Sequence, residues 1–181
     1  AVLEVFGNRY IRFIAANIRK LLWAVPQLVL LFLVFYLPFD MPAILSAIIA
    51  LGLCSAAFQA QIFRGAITSV AQGQLEAARS MGLSQFKVIV YVIVPQMAIL
   101  AIGPWTNEFA SELKDTSLAY VVGVVEIMRQ AKYIIAYTFG NALVVYAFVA
   151  LLYFVLTRLG TMLLYQLEKK LWVPGFEKRS E

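Results

Sequence analysis

Glu108, Glu112 and Asp115 are four and three residues apart, so a helix running through them would present three carboxylates on one face. Lys114 falls off that face. Thr116 and Ser117 follow directly, at the start of a short apolar stretch, 117–125. If a half-helix began there, its free backbone N–H groups could hold a carboxylate, while the acidic face could take an ammonium group. Together they would suit a zwitterionic or cationic amino acid. The plainer reading is a solvated loop whose charges face water. A second constellation is Glu76-Ala77-Ala78-Arg79 with Gly82, flanked by Gly73 and Lys87. The chain contains no histidine and one cysteine, Cys54, which excludes histidine-based catalysis, an internal disulfide and a multi-cysteine zinc site. No Gly-x-x-x-x-Gly-Lys-Ser/Thr phosphate loop is present.

The elements that position these residues follow from composition. Of 181 residues, 62% are apolar and 14% charged, against about 45–50% and 25% for soluble domains, and the mean hydropathy is +0.83. A bilayer core of about 30 Å calls for roughly 20 apolar helical residues. Charge-free stretches at 21–39, 41–63, 88–106 and 133–157 are each long enough, which predicts an all-α polytopic bundle of four spans forming a single membrane domain over 1–181. The segment 117–125 is too short to cross. It suits a re-entrant or broken helix enclosed by protein or lining a water-filled cavity.

Charge sets the orientation. Segments 1–20, 64–87 and 158–181 hold twelve Lys and Arg against five Asp and Glu; the opposite side holds three against five. Basic residues gather in cytoplasmic loops, so both termini and the 64–87 loop are expected in the cytoplasm. The net charge of +5 is then a topology signal, and no nucleic-acid partner is called for. Trp23, Trp105 and Trp172 lie near span ends and read as interfacial anchors. Arg158 reads as pairing or snorkelling, and Cys54 as an inert buried residue. Gln61, on an apolar helix, reads as a pocket contact or a helix–helix hydrogen bond.

Within the 64–87 loop, 74–81 is rich in helix formers. Gly82 is placed to close that helix in the left-handed conformation, and Ser84 to cap the next one. Leu75 and Ala78 lie along one side, and the alanines permit another surface to approach closely. Two readings fit: a docking element, or an amphipathic loop lying on lipid headgroups.

The spacing Glu76-Ala77-Ala78, three residues, Gly82, nine residues, Val92-Ile93-Val94-Pro95 resembles the EAA loop of ABC-importer permeases. Further stretches, Ile62-Phe63-Arg64-Gly65-Ala66-Ile67, Thr106-Asn107-Glu108-Phe109, Leu113-Lys114-Asp115-Thr116-Ser117-Leu118 and 123–131, resemble the polar amino-acid subfamily of the histidine/glutamine type, with the MetI-like fold. The likeness covers roughly 28–170. It departs at Gln61, where the family often has Glu, at Cys54, usually Asn, and at Trp23-Ala24-Val25-Pro26, usually Arg-Gly-Thr-Pro. Members typically have five spans, one more before this chain's first, so the resemblance implies that the chain lacks an N-terminal segment or belongs to a divergent member.

The resemblance implies an ATP-driven importer. Gly73, Glu76, Ala77, Ala78, Arg79 and Gly82 would couple to a separate ATPase dimer carrying ATP and Mg. A second permease copy or homologue would complete the pathway, and an external amino-acid-binding protein would deliver substrate. Gln61, Glu108, Glu112, Asp115, Thr116 and Ser117 are the candidate pathway residues. The chain itself would be neither an enzyme nor a cofactor holder. Because the EAA loop is shared across importers, a permease for another small polar solute remains the alternative.

Overall fold

The computed structural model describes residues 1–138 and 141–171, and the described residues form helices joined by short turns. Trp172 and the charges at 177–181 lie outside the described residues. The helices are α1 (Val2–Phe6), α2 (Arg9–Ala24), α3 (Gln27–Phe35), α4 (Ala43–Thr68), α5 (Gln72–Ser80), α6 (Gln85–Val88), α7 (Val94–Asp115), α8 (Ile127–Thr138) and α9 (Ala142–Leu171). A π-helical turn, Ile89–Ile93, joins α6 to α7, and a 3-10 segment, Thr116–Val122, prolongs α7.

Among the described residues, three rods are long and apolar enough to cross a bilayer: Ala43–Thr68, Gln85–Val122 and Ala142–Lys170. The expected first span, 21–39, is not one straight helix. Pro26 forces Val25 into an extended conformation (φ −82°, ψ 128°) because its ring excludes the α region for the preceding residue. Helices α2 and α3 meet there at 99°. Alone, α3 is about 14 Å long at 1.5 Å per residue, too short to cross, so a fourth span exists only if the bent pair counts as one. The apolar stretch at 133–157 likewise divides. Residues 133–138 end α8, and Asn141 starts α9 by accepting the Leu143 N–H at 2.9 Å.

The third rod shows what proline does inside a helix. Pro95 has no N–H to donate to Tyr91 and crowds its carbonyl. The helix widens ahead of it over Ile89–Ile93, with the Val94 N–H reaching Ile89 O. Beyond Pro104 the rod continues to Val122 and ends in the left-handed Gly123 (φ +99°). There Val124 N–H bonds Ala119 O at 3.3 Å and Gly123 N–H bonds Tyr120 O at 3.1 Å, the paired bonds of a Schellman end.

Two apolar clusters hold the bundle. In one, Leu31 and Val34 of α3, Ala47 and Ala50 of α4, and Ala119 and Val122 of the 3-10 segment pack together. The short apolar stretch thus packs one side against α3 and α4 through Ala119 and Val122 and leaves Val125 exposed. Up to Val122 it continues the third rod and is not a separate re-entrant helix. In the other, Ile67, Ala78, Val88 and Ile93 pack with Val5, Phe6, Leu75 and Leu83. This ties α1 to the 64–87 loop. Glu4, 6% exposed, reinforces that tie: its carboxylate accepts from Arg19 at 2.7 Å and lies 3.3 Å from Arg64 of α4.

The α7–α9 crossing depends on Gly160. A Cβ there would sit 2.6 Å from Phe109 Cε1, too close for any real contact. Gly160→Ala is therefore expected to destabilise the bundle by about 1–3 kcal/mol through overpacking. The melting temperature of the detergent-solubilised chain checks this: Gly160→Ala lowers it, and adding Phe109→Leu recovers part of the loss.

Candidate functional site

The 64–87 loop begins later than its charge pattern suggested, because Arg64–Thr68 belongs to α4. Helix α5 starts at Gln72, so Gly73 lies inside the helix, exposed. Gly82 adopts φ +78°, as the sequence predicts. Leu83 N–H bonds Ala78 O at 3.2 Å and Gly82 N–H bonds Arg79 O at 2.9 Å, again a Schellman end. Ser84 occupies the N-cap of α6, but its side chain makes no capping bond.

One expectation for this loop is corrected. Ala78 is not part of a surface open to a partner. It is 2% exposed and packs inward against Ile67, Val88 and Ile93, since only a small side chain lets α5 approach the rod. Glu76, Ala77 and Arg79 form the outward face. The α5–glycine–α6 unit is therefore fixed from below by Ala78 and Leu83 and presents a charged outer surface.

The acidic ladder lies on α7, as the spacing predicts, with Glu108, Glu112 and Asp115 all half-buried and Lys114 exposed. Glu112 lies beside Glu108 and beside Ser55 of α4. Gln59 donates to the Ser55 hydroxyl at 3.0 Å. Glu112 Oε1 and Thr157 Oγ1 are buried without a hydrogen-bond partner. The antiparallel α7–α9 register, with Phe109 against Gly160 and Gly103 near Glu168, brings Thr157 level with Glu112. Phe109 in turn packs on Trp105 (centroids 6.2 Å apart), so Trp105 borders this cluster. A buried carboxylate oxygen without a partner is costly, and inside a membrane such groups are kept for function.

Ser55, Gln59 and Thr157 were not among the sequence candidates. The Ser55/Gln59 pair, four residues apart in an otherwise apolar span, was the available signal. Nothing in the sequence marked Thr157.

The expected half-helix N-terminus at Thr116 and Ser117 is not formed. Asp115 is helical (φ −71°, ψ −19°), so α7 runs into the 3-10 segment unbroken and leaves no free N–H cluster. The Thr116 hydroxyl donates to Leu113 O at 2.7 Å, and Ser117 is half-buried. The nearest open helix start is that of α8. Its N–H groups are already taken by Glu126, which accepts from Met128 N at 2.8 Å, Arg129 N at 2.7 Å and Tyr153 Oη at 3.1 Å. Gln61 is exposed and its side chain makes no hydrogen bond among the described residues. Cys54 is fully buried and free. Arg158 is exposed on α9 and unpaired among the described residues.

A membrane bundle whose long central rod joins an exposed helix–glycine–helix excursion to a polar interior is the architecture of the MetI-like permeases. Residues 1–173 match the family described as the binding-protein-dependent transport system inner membrane component, and the chain belongs to that family. It is 43% identical over 148 residues to the probable amino-acid permease protein YxeN of Bacillus subtilis (strain 168), a match covering 77% of this chain and 65% of that protein. It is 36% identical over 155 residues to the L-cystine transport system permease protein TcyB of the same organism, covering 81% of this chain and 64% of that protein. The chain thus spans just under two thirds of each relative. A crystal structure described as an amino acid ABC transporter with histidines superposes with TM-score 0.85 at 30% identity, covering 93% of this chain and 80% of that one.

Proposed function

We propose that this chain is the membrane permease subunit of an ATP-driven ABC importer for polar amino acids. The observation that carries this reading is mechanical continuity. The exposed Glu76–Arg79 surface of α5 is clamped through Ala78 and the Gly82 turn to the Gln85–Val122 rod, and that rod carries Glu108, Glu112 and Asp115. A force on α5 would therefore reach the acidic ladder through one continuous helical run from Gln85 to Val122.

In this reading a separate ATPase pair binds and hydrolyses ATP with Mg, and the chain itself is not an enzyme. Glu76 and Arg79 offer charge-assisted hydrogen bonds to the ATPase surface, and closure of the ATPase pair rocks the rod. The α5 end and the C-terminus face the cytoplasm, as the distribution of Lys and Arg implies. A second permease, identical or homologous, completes the pathway, lipid surrounds it, and an external amino-acid-binding protein delivers the substrate. The relatives' amino-acid permease names support this substrate class. Glu112 and Glu108, with Ser55 and Gln59 beside them, would receive the ammonium group.

The test is uptake by proteoliposomes containing the permease, its ATPase and the external binding protein. ATP-dependent accumulation of labelled arginine, glutamine or glutamate is expected. ATP-dependent uptake restricted to another small polar solute would replace the amino-acid reading with the second importer reading. Uptake indifferent to ATP would remove both.

A further inference from the structure

At the end of the bundle opposite α5, α8 carries Arg129 and Lys132 three residues apart, where two like charges repel. Both nevertheless converge on one residue. The Arg129 guanidinium donates through Nη1 to Tyr120 O at 3.1 Å and through Nε to Tyr133 Oη at 3.0 Å. The Lys132 ammonium sits 4.4 Å from the centroid of the Tyr120 ring. These side chains, with Val121, line a pocket of about 280 Å³. Tyr120 is itself held by the Gly123 turn, since its carbonyl also accepts the Gly123 N–H.

Neither cation has a carboxylate within ion-pair distance among the described residues, where the ion pairs found all involve Glu4. The second terminal nitrogen of Arg129 has no protein partner among them either. Two of the three basic residues expected on this side of the membrane are thus gathered, without a counter-charge, on a side that is acidic overall. The arrangement is a fork and a point charge over aromatic walls, the chemistry that recognises a carboxylate.

We propose that Tyr120, Arg129 and Lys132 form a carboxylate subsite at the outer mouth of the pathway, which takes the α-carboxylate of an arriving amino acid. This rests on the importer reading and its orientation. A carboxylate on the surface of a docked protein shares the chemistry, but a pocket of this volume favours a free small molecule. A hydrogen-bond chain leads inward from it: Arg129 N–H to Glu126, and Tyr153 Oη to Glu126, with Tyr153 beside Thr116 at the end of the ladder.

The test measures binding of labelled L-arginine, L-glutamine and L-glutamate, each against its α-carboxamide, to the assembled transporter in lipid nanodiscs. In the wild type the acid is expected to bind about tenfold more tightly than the amide, a charge-assisted contact's worth. Lys132→Gln should shrink that preference to under threefold, and Lys132→Arg should keep it. Unchanged preference in both Lys132→Gln and Arg129→Gln overturns the subsite. Weaker binding of the unliganded external binding protein to Lys132→Gln, with the acid/amide preference intact, also overturns it and assigns the charge to protein docking. Failure of the wild type to take up any of the three amino acids under ATP defeats the importer reading itself, a separate outcome.

Discussion

Gly82→Leu is expected to lower ATP-driven uptake more than tenfold while the chain still inserts in the membrane. At φ +78° an L-residue other than glycine is disfavoured by roughly 1–2 kcal/mol. No atom lies within 4 Å of the position a Cβ would take, so the first carbon of a side chain meets no clash and the penalty there is one of backbone conformation. Leucine relieves it by leaving the left-handed region, which breaks the Leu83-to-Ala78 and Gly82-to-Arg79 bonds and re-aims α5 relative to the rod. Asparagine tolerates that region better than other side chains. Gly82→Asn should therefore keep most of the activity, and this separates backbone conformation from side-chain bulk. Uptake in proteoliposomes, normalised to permease in the membrane fraction, reads the effect. Near-normal uptake by Gly82→Leu would show that the turn angle does not couple.

Glu112→Gln is expected to lower amino-acid uptake by more than tenfold while ATPase subunits still bind, because the substitution leaves α5 untouched. One Glu112 carboxylate oxygen is buried and unpartnered. Removing its charge relieves a cost to the empty bundle and removes a partner for the substrate ammonium. The same variant should therefore raise the melting temperature of the solubilised protein, the opposite sign to its effect on transport. Reversing the ladder with Glu108→Lys and Glu112→Lys together should abolish arginine uptake selectively. If Glu112→Gln carries arginine, glutamine and glutamate at wild-type rates, the ladder is structural.

What was legible in the sequence were the features set by local rules. Gly82 was readable because only glycine closes a helix in the left-handed region cheaply. The ladder was readable because helical periodicity puts residues 108, 112 and 115 on one face whatever surrounds them. Apolar length revealed the three rods among the described residues. Illegible were the choices made by tertiary contact. Pro26 marked a break within a charge-free window, and counting charges alone passed over it. Ala78 looked like a docking residue because composition cannot say which side of α5 faces the rod. Thr116 looked like a helix start because the polar-to-apolar change coincides with the passage from α to 3-10 backbone, where the chain does not break. Glu4 entered only as a charge, since nothing local links it to Arg19 and Arg64.

The importer reading depends most directly on α5 being the seat of an ATPase. Glu76 is exposed and its side chain makes no hydrogen bond or ion pair among the described residues, so Glu76→Lys changes the outer charge of α5 without removing a partner of Ala78 or the Gly82 turn. The decisive measurement is purification of the tagged permease from its native membrane in mild detergent, with every co-purifying chain identified and ATP hydrolysis assayed. A nucleotide-hydrolysing subunit should accompany the wild-type chain and be lost from Glu76→Lys. Absence of such a subunit from the wild-type preparation, or its undiminished retention by Glu76→Lys, would contradict the role assigned to α5.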